Sequence, residues 1–446
     1  MKKITFFLLL FSAVLKGWSQ GCNPSSATGT PNCGALPTNF PPINDLGSAT
    51  WTNTWNGNAL QGGLYPNGSN SIPAAHQAAG ISLASQIQPL DTAGNPSANG
   101  KIVLLSIGLS NTNIESCEFD SLANLDACKN SKVVCVNGAQ GGAAAACIAI
   151  NPPPSPCGST AYNNYWGSKS NPVGVYGALV TAGGSRPKQV QAVWFKETNP
   201  ATLYSTQQQF YDSLTAQLKR ILKEMVTRYP NIKVCYISSR ISARYADPAS
   251  QLNPEPYAYI QGWAVKKVIE DQISGNLPYA GPNRVAPWIS WSPYLWSDGN
   301  IPRQDGFSWT CPNDFAKDGT HPSLSGARTV GNLLLCFFKN DPTTYPWFTS
   351  NGNPCSGSCS LTAIQEMSEN ETIKIYPNPS TGQFTIHCLT ATAKNLDIYD
   401  MFGKLVFHTI INSKQETINL NIAKGIYFLK LSDGTDSYRK KLIITD

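Results

Sequence analysis

Short apolar runs, each bounded by glycine or polar residues, recur along the middle of the chain. Runs of this length are typical of strands that are buried on both faces of a sheet. Between them, apolar residues recur at spacings of three and four from Phe210 to Met225, which predicts an amphipathic helix that Pro230 ends. The predicted strands lie at 101–108, 132–138, 190–195, 232–238 and 284–291, and two further helices at 257–273 and 323–338. Strands that alternate with helices predict a parallel, doubly wound α/β sheet with helices on both faces.

The pattern changes on both sides of this α/β region. Residues 371–446 contain short alternating strands separated by turn residues, which predicts a small all-β sandwich. Residues 346–370 are polar and contain Gly and Ser, as expected of a linker. Residues 21–100 are rich in Gly, Pro, Asn and Trp and show little helical periodicity, so we expect a loop-rich region tied by disulfides. Residues 101–345 are then the domain that carries the chemistry, and a chain of 446 residues agrees with several domains.

The first twenty residues have the pattern of a secretory signal peptide. Lys2 and Lys3 precede the apolar run Ile4–Leu15, and small residues follow near the expected cleavage site. Cys22 lacks the aliphatic residue that stands three positions before a lipidated cysteine, so we do not expect lipidation. The run is too short to span a bilayer comfortably, and no later segment predicts a transmembrane helix.

Thirteen cysteines in an exported chain indicate disulfides rather than metal ligands, and only four histidines are present to complete a zinc site. The connectivity stays open, although closely spaced cysteines are candidates for local loops. These pairs are Cys22/Cys33, Cys117/Cys128, Cys147/Cys157 and Cys355/Cys359. The odd count leaves one thiol, for which Cys388 is the best candidate.

Composition and charge exclude two classes of protein. The hydrophobic fraction of 41% and the aromatic fraction of 10% exclude a disordered chain. The formal net charge is +6, but three of the lysines lie in the leader, so the rest of the chain lacks the basic surface of a nucleic-acid-binding protein.

The C-terminal region carries four recognisable motifs: YPNPSTGQFTI, IYDMFGKLV, GIYFLKL and the terminal KKLIITD. Together they resemble the C-terminal sorting domain of substrates of the type IX secretion system, an export route of Bacteroidetes. The resemblance implies handling by the type IX machinery, passage across the outer membrane, and a secreted or cell-surface location. An ordinary accessory sandwich is the alternative.

Polar residues and glycines follow the predicted strands of the middle domain. In open α/β sheets, ligands bind beyond the carboxyl ends of the strands. Ser110 follows the first strand and is either a nucleophile or the N-cap of the next helix. Gly141 and Gly142 follow the second strand, where they would give a ligand access to backbone N–H groups or simply form a turn. Asn199 follows the third strand and is either an amide donor or a turn residue before Pro200.

The strongest chemical signal lies just before the last predicted helix. Asp318 and His321 stand three residues apart there, so that an aspartate could orient a histidine that reaches a serine across the sheet edge. Only four histidines are present, and two of them lie in the C-terminal region. Histidine-based catalysis by the middle domain must therefore use His321 or His76.

Residues 101–338 resemble the SGNH hydrolase superfamily, also called GDSL-like esterases, through four short blocks in the right order. The family nucleophile maps to Ser110 in IGLSNTN, although Leu109 stands where many members carry Asp. The closing Asp-x-x-His block is matched by Asp318 and His321. The resemblance implies a three-layer, flavodoxin-like α/β fold and acyl transfer through a serine ester, with no metal or organic cofactor.

The two middle blocks supply the oxyanion hole in this family. The second-block glycine maps best to Gly141, with Gly138 or Gly142 as alternatives in register. The family asparagine maps to Asn199 in VWFKETNP, a block that looks like that of sialate and carbohydrate acetylesterases but lacks the glycine before Glu197.

The resemblance leads us to expect a secreted esterase that acts on acetyl or related esters, with glycan esters as candidate substrates. Aromatic faces stack on sugar rings, so Trp296 and Trp309 are candidate substrate-binding residues, and His76 could reach the site from the N-terminal region. Two alternatives stay open: a non-catalytic surface or glycan-binding protein on a hydrolase scaffold, and a lipase or thioesterase that acts on longer acyl chains.

Overall fold

The computed structural model divides the chain into two compact units, Met1–Ala363 and Ile364–Asp446. The predicted signal peptide lies outside the described residues, and so do residues 356–370 of the predicted linker. The structure describes residues 30–355 except 156, 159, 182–183 and 251, and residues 373–445 except 389–393, 401–404 and 433–436.

The first unit alternates strands and helices over most of its length. Its N-terminal part contains α1 (Ile43–Leu46), β1 (Thr50–Thr52), β2 (Ala59–Gln61) and α2 (Ala74–Ala84). There follow β3 (Ile102–Gly108), α3 (Ser110–Leu125), β4 (Val133–Asn137), α4 (Ala145–Ile148), α5 (Ala161–Trp166), α6 (Gly174–Thr181), β5 (Val190–Lys196) and α7 (Gln207–Arg228). The unit ends with β6 (Val234–Ile237), α8 (Tyr257–Ile273), β7 (Trp288–Trp291), α9 (Leu324–Asn340) and α10 (Tyr345–Phe348). Short 3-10 turns lie at Pro66–Gly68, Pro187–Gln189 and Ala201–Leu203.

A five-stranded parallel sheet forms the centre of this unit, with the strand order β4-β3-β5-β6-β7. This order places the first strand between the second and the third, as in flavodoxin-like doubly wound sheets. Every residue of β3 and β5 is buried, which explains why these strands are continuous apolar runs in the sequence. The predicted parallel α/β sheet is therefore confirmed.

Two hydrophobic cores lie on opposite faces of the sheet. Alternate residues of β3 contribute to the two cores: Val103 and Leu105 belong to one core and Leu104 to the other. Helices α7 and α8 supply the first core, and α3 and α9 supply the second. The first unit thus has three layers, helix on sheet on helix.

Local sequence sets the bounds of the long helices. The Thr206 hydroxyl caps α7 by accepting the Gln209 N–H at 3.1 Å, and the helix ends two residues before Pro230. The Ser323 hydroxyl caps α9 in the same way, by accepting the Gly326 N–H at 3.2 Å. A hydroxyl side chain therefore caps the N-terminus of both helices.

The N-terminal part belongs to the same compact unit as the sheet. Gly80 of α2 faces Trp288 so closely that a Cβ at this position would lie 2.3 Å from the indole ring. The Asp298 carboxylate accepts the Thr38 N–H at 2.8 Å, and a disulfide joins Cys33 to Cys311.

The disulfides correct most of the local pairings expected from the sequence. The structure contains the disulfides Cys33–Cys311, Cys128–Cys355 and Cys147–Cys157. Cys117 and Cys336 are disulfide-bonded as well. The pair Cys147/Cys157 is confirmed, whereas Cys22/Cys33, Cys117/Cys128 and Cys355/Cys359 are wrong. Tertiary proximity selects the partners, since the Cα atoms of Cys128 and Cys355 lie 6.4 Å apart across 227 residues of sequence.

Free thiols lie inside the central sheet. Among the described side chains, Cys135 of β4 and Cys235 of β6 form no disulfide. The Cys388 side chain, which we expected to be the unpaired thiol, lies outside that described set.

The second unit contains antiparallel sheets. Its strands are β8 (Ile373–Tyr376), β9 (Gln383–Cys388), β10 (Lys394–Tyr399), β11 (Leu405–Ile411), β12 (Gln415–Asn419), β13 (Gly425–Ser432) and β14 (Ser437–Ile444). They form one sheet in the order β11-β10-β13-β14 and another in the order β12-β9-β8. Phe384 and Ile386 of one sheet share a core with Leu396 and Leu429 of the other, which confirms the predicted all-β architecture. Across the described residues of both units, no helix is long and apolar enough to cross a bilayer.

Candidate active site

Ser110 is the first residue of α3, directly beyond the carboxyl end of β3. The chain can turn there because position 108 is glycine: a Cβ on Gly108 would lie 2.1 Å from the Lys196 carbonyl oxygen of the neighbouring strand. Leu109, not Ser110, is the N-cap of α3 and provides no side-chain cap. The Ser110 hydroxyl is therefore not the helix cap and is directed to His321 instead.

Ser110, His321 and Asp318 form a connected hydrogen-bonded array. Ser110 Oγ lies 2.7 Å from His321 Nε2, and His321 Nδ1 lies 2.7 Å from Asp318 Oδ2. Asp318 Oδ1 accepts the backbone N–H groups of Thr320 at 3.0 Å and His321 at 2.9 Å. Burial alone would raise the pKa of Asp318, but the bonds from the His321 ring and these N–H groups outweigh it and lower the pKa to about 2. Asp318 thus stays ionised at neutral pH and fixes the orientation of the imidazole.

Three polar side chains in the first turn of α3 hold the surrounding loops. The bonds run from Asn111 Nδ2 to the Thr320 carbonyl (3.0 Å), from Thr112 Oγ1 to the Lys196 carbonyl (2.6 Å) and from Asn113 Nδ2 to the Ala139 carbonyl (2.7 Å). The first bond reaches the loop before α9, the second the end of β5 and the third the loop after β4. Sequence reasoning missed this role, although the run Asn-Thr-Asn directly after Ser110 was the available signal.

Asn199 lies beyond the end of β5 with its amide group fixed on both sides. Its Oδ1 accepts the Ala146 N–H at 2.8 Å, and its Nδ2 donates to Gln217 Oε1 at 2.7 Å. Gln217 is held in turn, since its Nε2 donates to the Tyr204 hydroxyl at 2.9 Å. An amide nitrogen carries two hydrogens, and the second N–H of Asn199 has no hydrogen-bond partner within the described residues.

A cavity of about 90 Å³ brings the strand ends together beside the serine. Its walls are Leu109, Ser110, Gly142, Ala144, Thr198, Asn199, Pro200, Leu252 and Asn253. Leu109, Ala144, Pro200 and Leu252 make much of this surface apolar, and the polar side chains among the walls include those of Ser110 and Asn199. The cavity is far smaller than the roughly 300–1,000 Å³ of pockets for drug-sized ligands.

The glycine at this cavity is Gly142, whereas Gly141 was the preferred prediction. Gly141 is exposed and is not among the lining residues. Gly142 has a φ of +77°, a conformation that turns the chain and favours glycine, and its N–H has no partner among the described residues. The third candidate, Gly138, already donates its N–H to the Ser106 carbonyl at 3.0 Å. Of the three glycines, Gly142 is the one that lines this cavity.

The three predicted substrate-binding side chains lie in the interior and not at the cavity. Trp296, Trp309 and His76 are at most 7% exposed. Their ring nitrogens bond to Glu255 Oε1 (2.8 Å), to the Leu295 carbonyl (2.9 Å) and to the Ile289 carbonyl (2.8 Å), respectively. Burial lowers the pKa of His76, whose ring stacks on Trp288. These residues pack the core, so their assignment as a sugar-binding surface is corrected.

A buried ion pair beneath the serine was not foreseen. Lys196 Nζ lies 2.5 Å from Glu115 Oε2, and both side chains are 0% exposed. Burial raises the pKa of Glu115 and lowers the pKa of Lys196 to about 8, although each charge favours the ionised form of the other. Arg240 is equally buried and donates from Nη2 to the Thr320 carbonyl at 3.1 Å. Lys196 takes the position at which the related block has glycine, and this irregularity was the signal in the sequence.

The geometry can perform serine-based acyl transfer. A histidine within hydrogen-bond reach of a serine, and held by a carboxylate, can remove the hydroxyl proton and return it to a leaving group. Within the described residues, no cluster of three or more His, Cys, Asp or Glu side chains is placed to hold a metal ion.

Comparison with known proteins gives partial matches. The chain is 29% identical over 93 residues to an endo-acting ulvan lyase of Formosa agariphila, and the match covers 18% of each protein. The structure of PorZ, a surface component of the type-IX secretion system of Porphyromonas gingivalis, shares 22% identity over 22% of this chain and 13% of PorZ, with a TM-score of 0.16. A carbohydrate acetylesterase from Xanthomonas citri shares 9% identity over 76% of this chain and 80% of that enzyme, with a TM-score of 0.28. Likenesses this low do not bear on the activity.

The C-terminal unit has a specific match. Residues 374–445 match the secretion system C-terminal sorting domain, which confirms the prediction made from the four motifs. The sorting domain marks the chain for the type IX machinery and for export to the secreted or cell-surface space.

Proposed function

We propose that this protein is a secreted serine esterase that hydrolyses esters of short carboxylic acids, most simply acetyl esters. The observation that carries the proposal is the array Ser110–His321–Asp318, in which both hydrogen bonds measure 2.7 Å. Ser110 and His321 are 211 residues apart in the sequence and meet at the carboxyl edge of the sheet. This edge is where doubly wound proteins bind their ligands.

Acylation begins when Ser110 Oγ attacks the ester carbonyl carbon while His321 Nε2 takes the hydroxyl proton. The new C–O bond turns the carbonyl oxygen into an oxyanion. The candidate donors to it are the N–H of Gly142, the second N–H of Asn199 and the N–H of Ser110 at the start of α3. Asp318 stabilises the imidazolium of His321 in this state.

The intermediate collapses when the C–O bond to the alcohol breaks. His321 Nε2 gives its proton to the leaving alkoxide, and an acyl ester remains on Ser110. In the second half, His321 takes a proton from water, the resulting hydroxide attacks the acyl carbon, and the acid leaves as Ser110 regains its proton. Every step uses groups of this chain, the ester and water.

The size of the cavity favours a short acyl group over a long one. About 90 Å³ of space, bounded in part by Leu109, Ala144, Pro200 and Leu252, lies beside Ser110, and the acyl and alcohol groups of a bound ester share it, which leaves little room for an extended acyl chain. This argument favours an acetylesterase over the lipase or thioesterase alternative. Trp296 and Trp309 are both buried, so they give no support for a glycan as the alcohol part of the ester.

The test is hydrolysis of p-nitrophenyl acetate, butyrate and octanoate by the full-length chain, beside Ser110→Ala and His321→Ala. We expect turnover of acetate, weaker turnover of octanoate, and loss of activity in both variants. Preference for octanoate would support the lipase alternative. Failure of the folded, oxidised protein to hydrolyse any of these esters would support a non-catalytic binding protein.

A further inference from the structure

We propose that Asn253 is a substrate-binding residue of this site, which donates a hydrogen bond to an oxygen of the alcohol part of the ester, and that Arg240 positions it. This inference rests on the proposed esterase function. The chemical class it names is an ester of a polyol-like alcohol, with a hydroxyl or ether oxygen close to the ester oxygen.

Asn253 reaches the site from a connection outside the four sequence blocks. The segment between β6 and α8 carries Leu252 and Asn253, and both line the cavity that contains Ser110. The Leu252 carbonyl accepts the Ala201 N–H at 2.7 Å, which fixes this segment to the chain that follows Asn199. Asn253 is therefore held beside the serine by backbone contacts.

The orientation of the Asn253 amide is set by its neighbours. Its Oδ1 accepts a hydrogen bond from Arg240 Nη2 at 3.1 Å and another from the Thr320 hydroxyl at 3.4 Å. A guanidinium group can only donate, so the amide oxygen must face Arg240 and the NH₂ group must face away from it. Arg240 is 1% exposed and cannot swing out to solvent without losing these contacts.

The NH₂ group of Asn253 lacks a partner. Nδ2 is buried and forms no hydrogen bond within the described residues, and the residue as a whole is only 4% exposed. A buried donor without an acceptor is energetically unfavourable, and such groups are rare in native proteins. A substrate oxygen at the cavity would supply the missing acceptor.

The hydrogen bonds that link Asn253 to Thr320 indicate which part of the substrate it contacts. Arg240 Nη2 also donates to the carbonyl and the hydroxyl of Thr320, the residue directly before His321. Asn253 is thereby tied to the loop of the histidine, which protonates the leaving alcohol. The candidate oxyanion donors Gly142 and Asn199 come from the loops after β4 and β5 instead. Asn253 therefore serves the alcohol side of the ester and not the acyl oxygen.

Two acetate esters of nearly equal size isolate this contact. 2-Methoxyethyl acetate and butyl acetate share the acyl group and differ only where an ether oxygen, which can accept a hydrogen bond but not donate one, replaces a methylene group in the alcohol. We expect the full-length protein to favour the methoxyethyl ester in kcat/KM. Loss of one neutral hydrogen bond, worth about 0.5–1.5 kcal/mol, should reduce that preference by about 2- to 12-fold in Asn253→Leu and in Asn253→Asp.

The two variants and a control separate binding from folding. Asn253→Asp keeps the size and the acceptor for Arg240 but removes the donor, so it tests the proposal even if Asn253→Leu fails to fold. Leu252→Ala changes the same wall of the cavity without removing a donor and should leave the preference unchanged. An unaltered preference in Asn253→Asp would overturn the proposal, whereas inactivity of the wild type on every ester would instead overturn the proposed function.

The positioning role of Arg240 has its own readout. Arg240→Met should reduce the preference for 2-methoxyethyl acetate as Asn253→Asp does, and Arg240→Lys should restore part of it because a donor is retained. Retention of the full preference in an active Arg240→Met variant would show that Arg240 does not position Asn253.

Discussion

Breaking the ion pair between Glu115 and Lys196 is expected to destabilise the first unit more than deleting the pair altogether. Both side chains are 0% exposed, and Lys196 Nζ lies 2.5 Å from Glu115 Oε2. Removing one partner of a buried pair leaves the other charge in an apolar interior, at a cost of about 3–5 kcal/mol. Replacing both by apolar side chains of similar volume is often neutral or stabilising.

The perturbation is therefore a cycle of three variants: Lys196→Met, Glu115→Leu and the double replacement. We expect each single variant to lose about 3–5 kcal/mol of unfolding free energy and the double variant to lose clearly less than the sum of the two single losses. The Glu115→Leu variant should be the less stable of the two, because Glu115 also interacts electrostatically with the buried Arg240.

Urea unfolding followed by tryptophan fluorescence is a suitable assay. All eleven tryptophans precede residue 348, so the signal reports the first unit and not the sorting domain. Glu224→Leu is the matched control, because its ion pair with Arg228 is partly exposed and should be worth no more than about 0.5 kcal/mol. Losses in the double variant equal to the sum of the single losses would refute the reasoning, since they would show that the two charges do not compensate each other.

Three further predictions concern the pH dependence of stability, the oxyanion and the turn before the serine. Burial raises the pKa of Glu255 to about 7, so the folded state binds its proton more tightly than the unfolded state does; this contribution to stability is complete below pH 4.5 and is lost as pH rises through 7. Glu255→Gln should abolish that part of the pH dependence in urea unfolding, and an unchanged profile would contradict the assignment. Asn199→Ala should lower kcat on p-nitrophenyl acetate by about 10²–10³, as for other oxyanion donors, and a loss of less than twofold would exclude this role. Gly108→Ala would place a Cβ 2.1 Å from the Lys196 carbonyl, so it should cost about 1–3 kcal/mol in urea unfolding and impair turnover; wild-type stability would refute this reading.

The parts of the fold that follow from periodicity could be predicted from the sequence. The apolar run at β3 could be predicted as a strand because it is short and its residues are buried on both faces of the sheet. The spacing from Phe210 to Met225 lies within α7, where the buried residues recur with the period of the helix. The disulfide Cys128–Cys355 could not be predicted, because it depends on a tertiary proximity that 227 residues of sequence do not encode locally.

The candidate site likewise contains some residues that could be predicted from the sequence and others that could not. Ser110, Asp318 and His321 were identified because each stands in a short motif at the end of an element. Trp296 was misassigned because an indole suits a sugar face and a protein core equally well, and only packing distinguishes the two. Asn253 was missed because no local pattern marks a side chain whose significance comes from Arg240, thirteen residues earlier in the sequence.

The central claim is that Ser110 is an activated nucleophile. The most direct measurement is labelling of the folded, full-length protein with a fluorophosphonate, followed by mass spectrometry of the digested chain, beside Ser110→Ala and His321→Ala. We expect one phosphonate on Ser110, none in Ser110→Ala, and strongly slowed labelling in His321→Ala, because the imidazole at 2.7 Å removes the hydroxyl proton. Absence of label on Ser110 in the folded wild type, or equal labelling of the His321→Ala variant, would contradict the account.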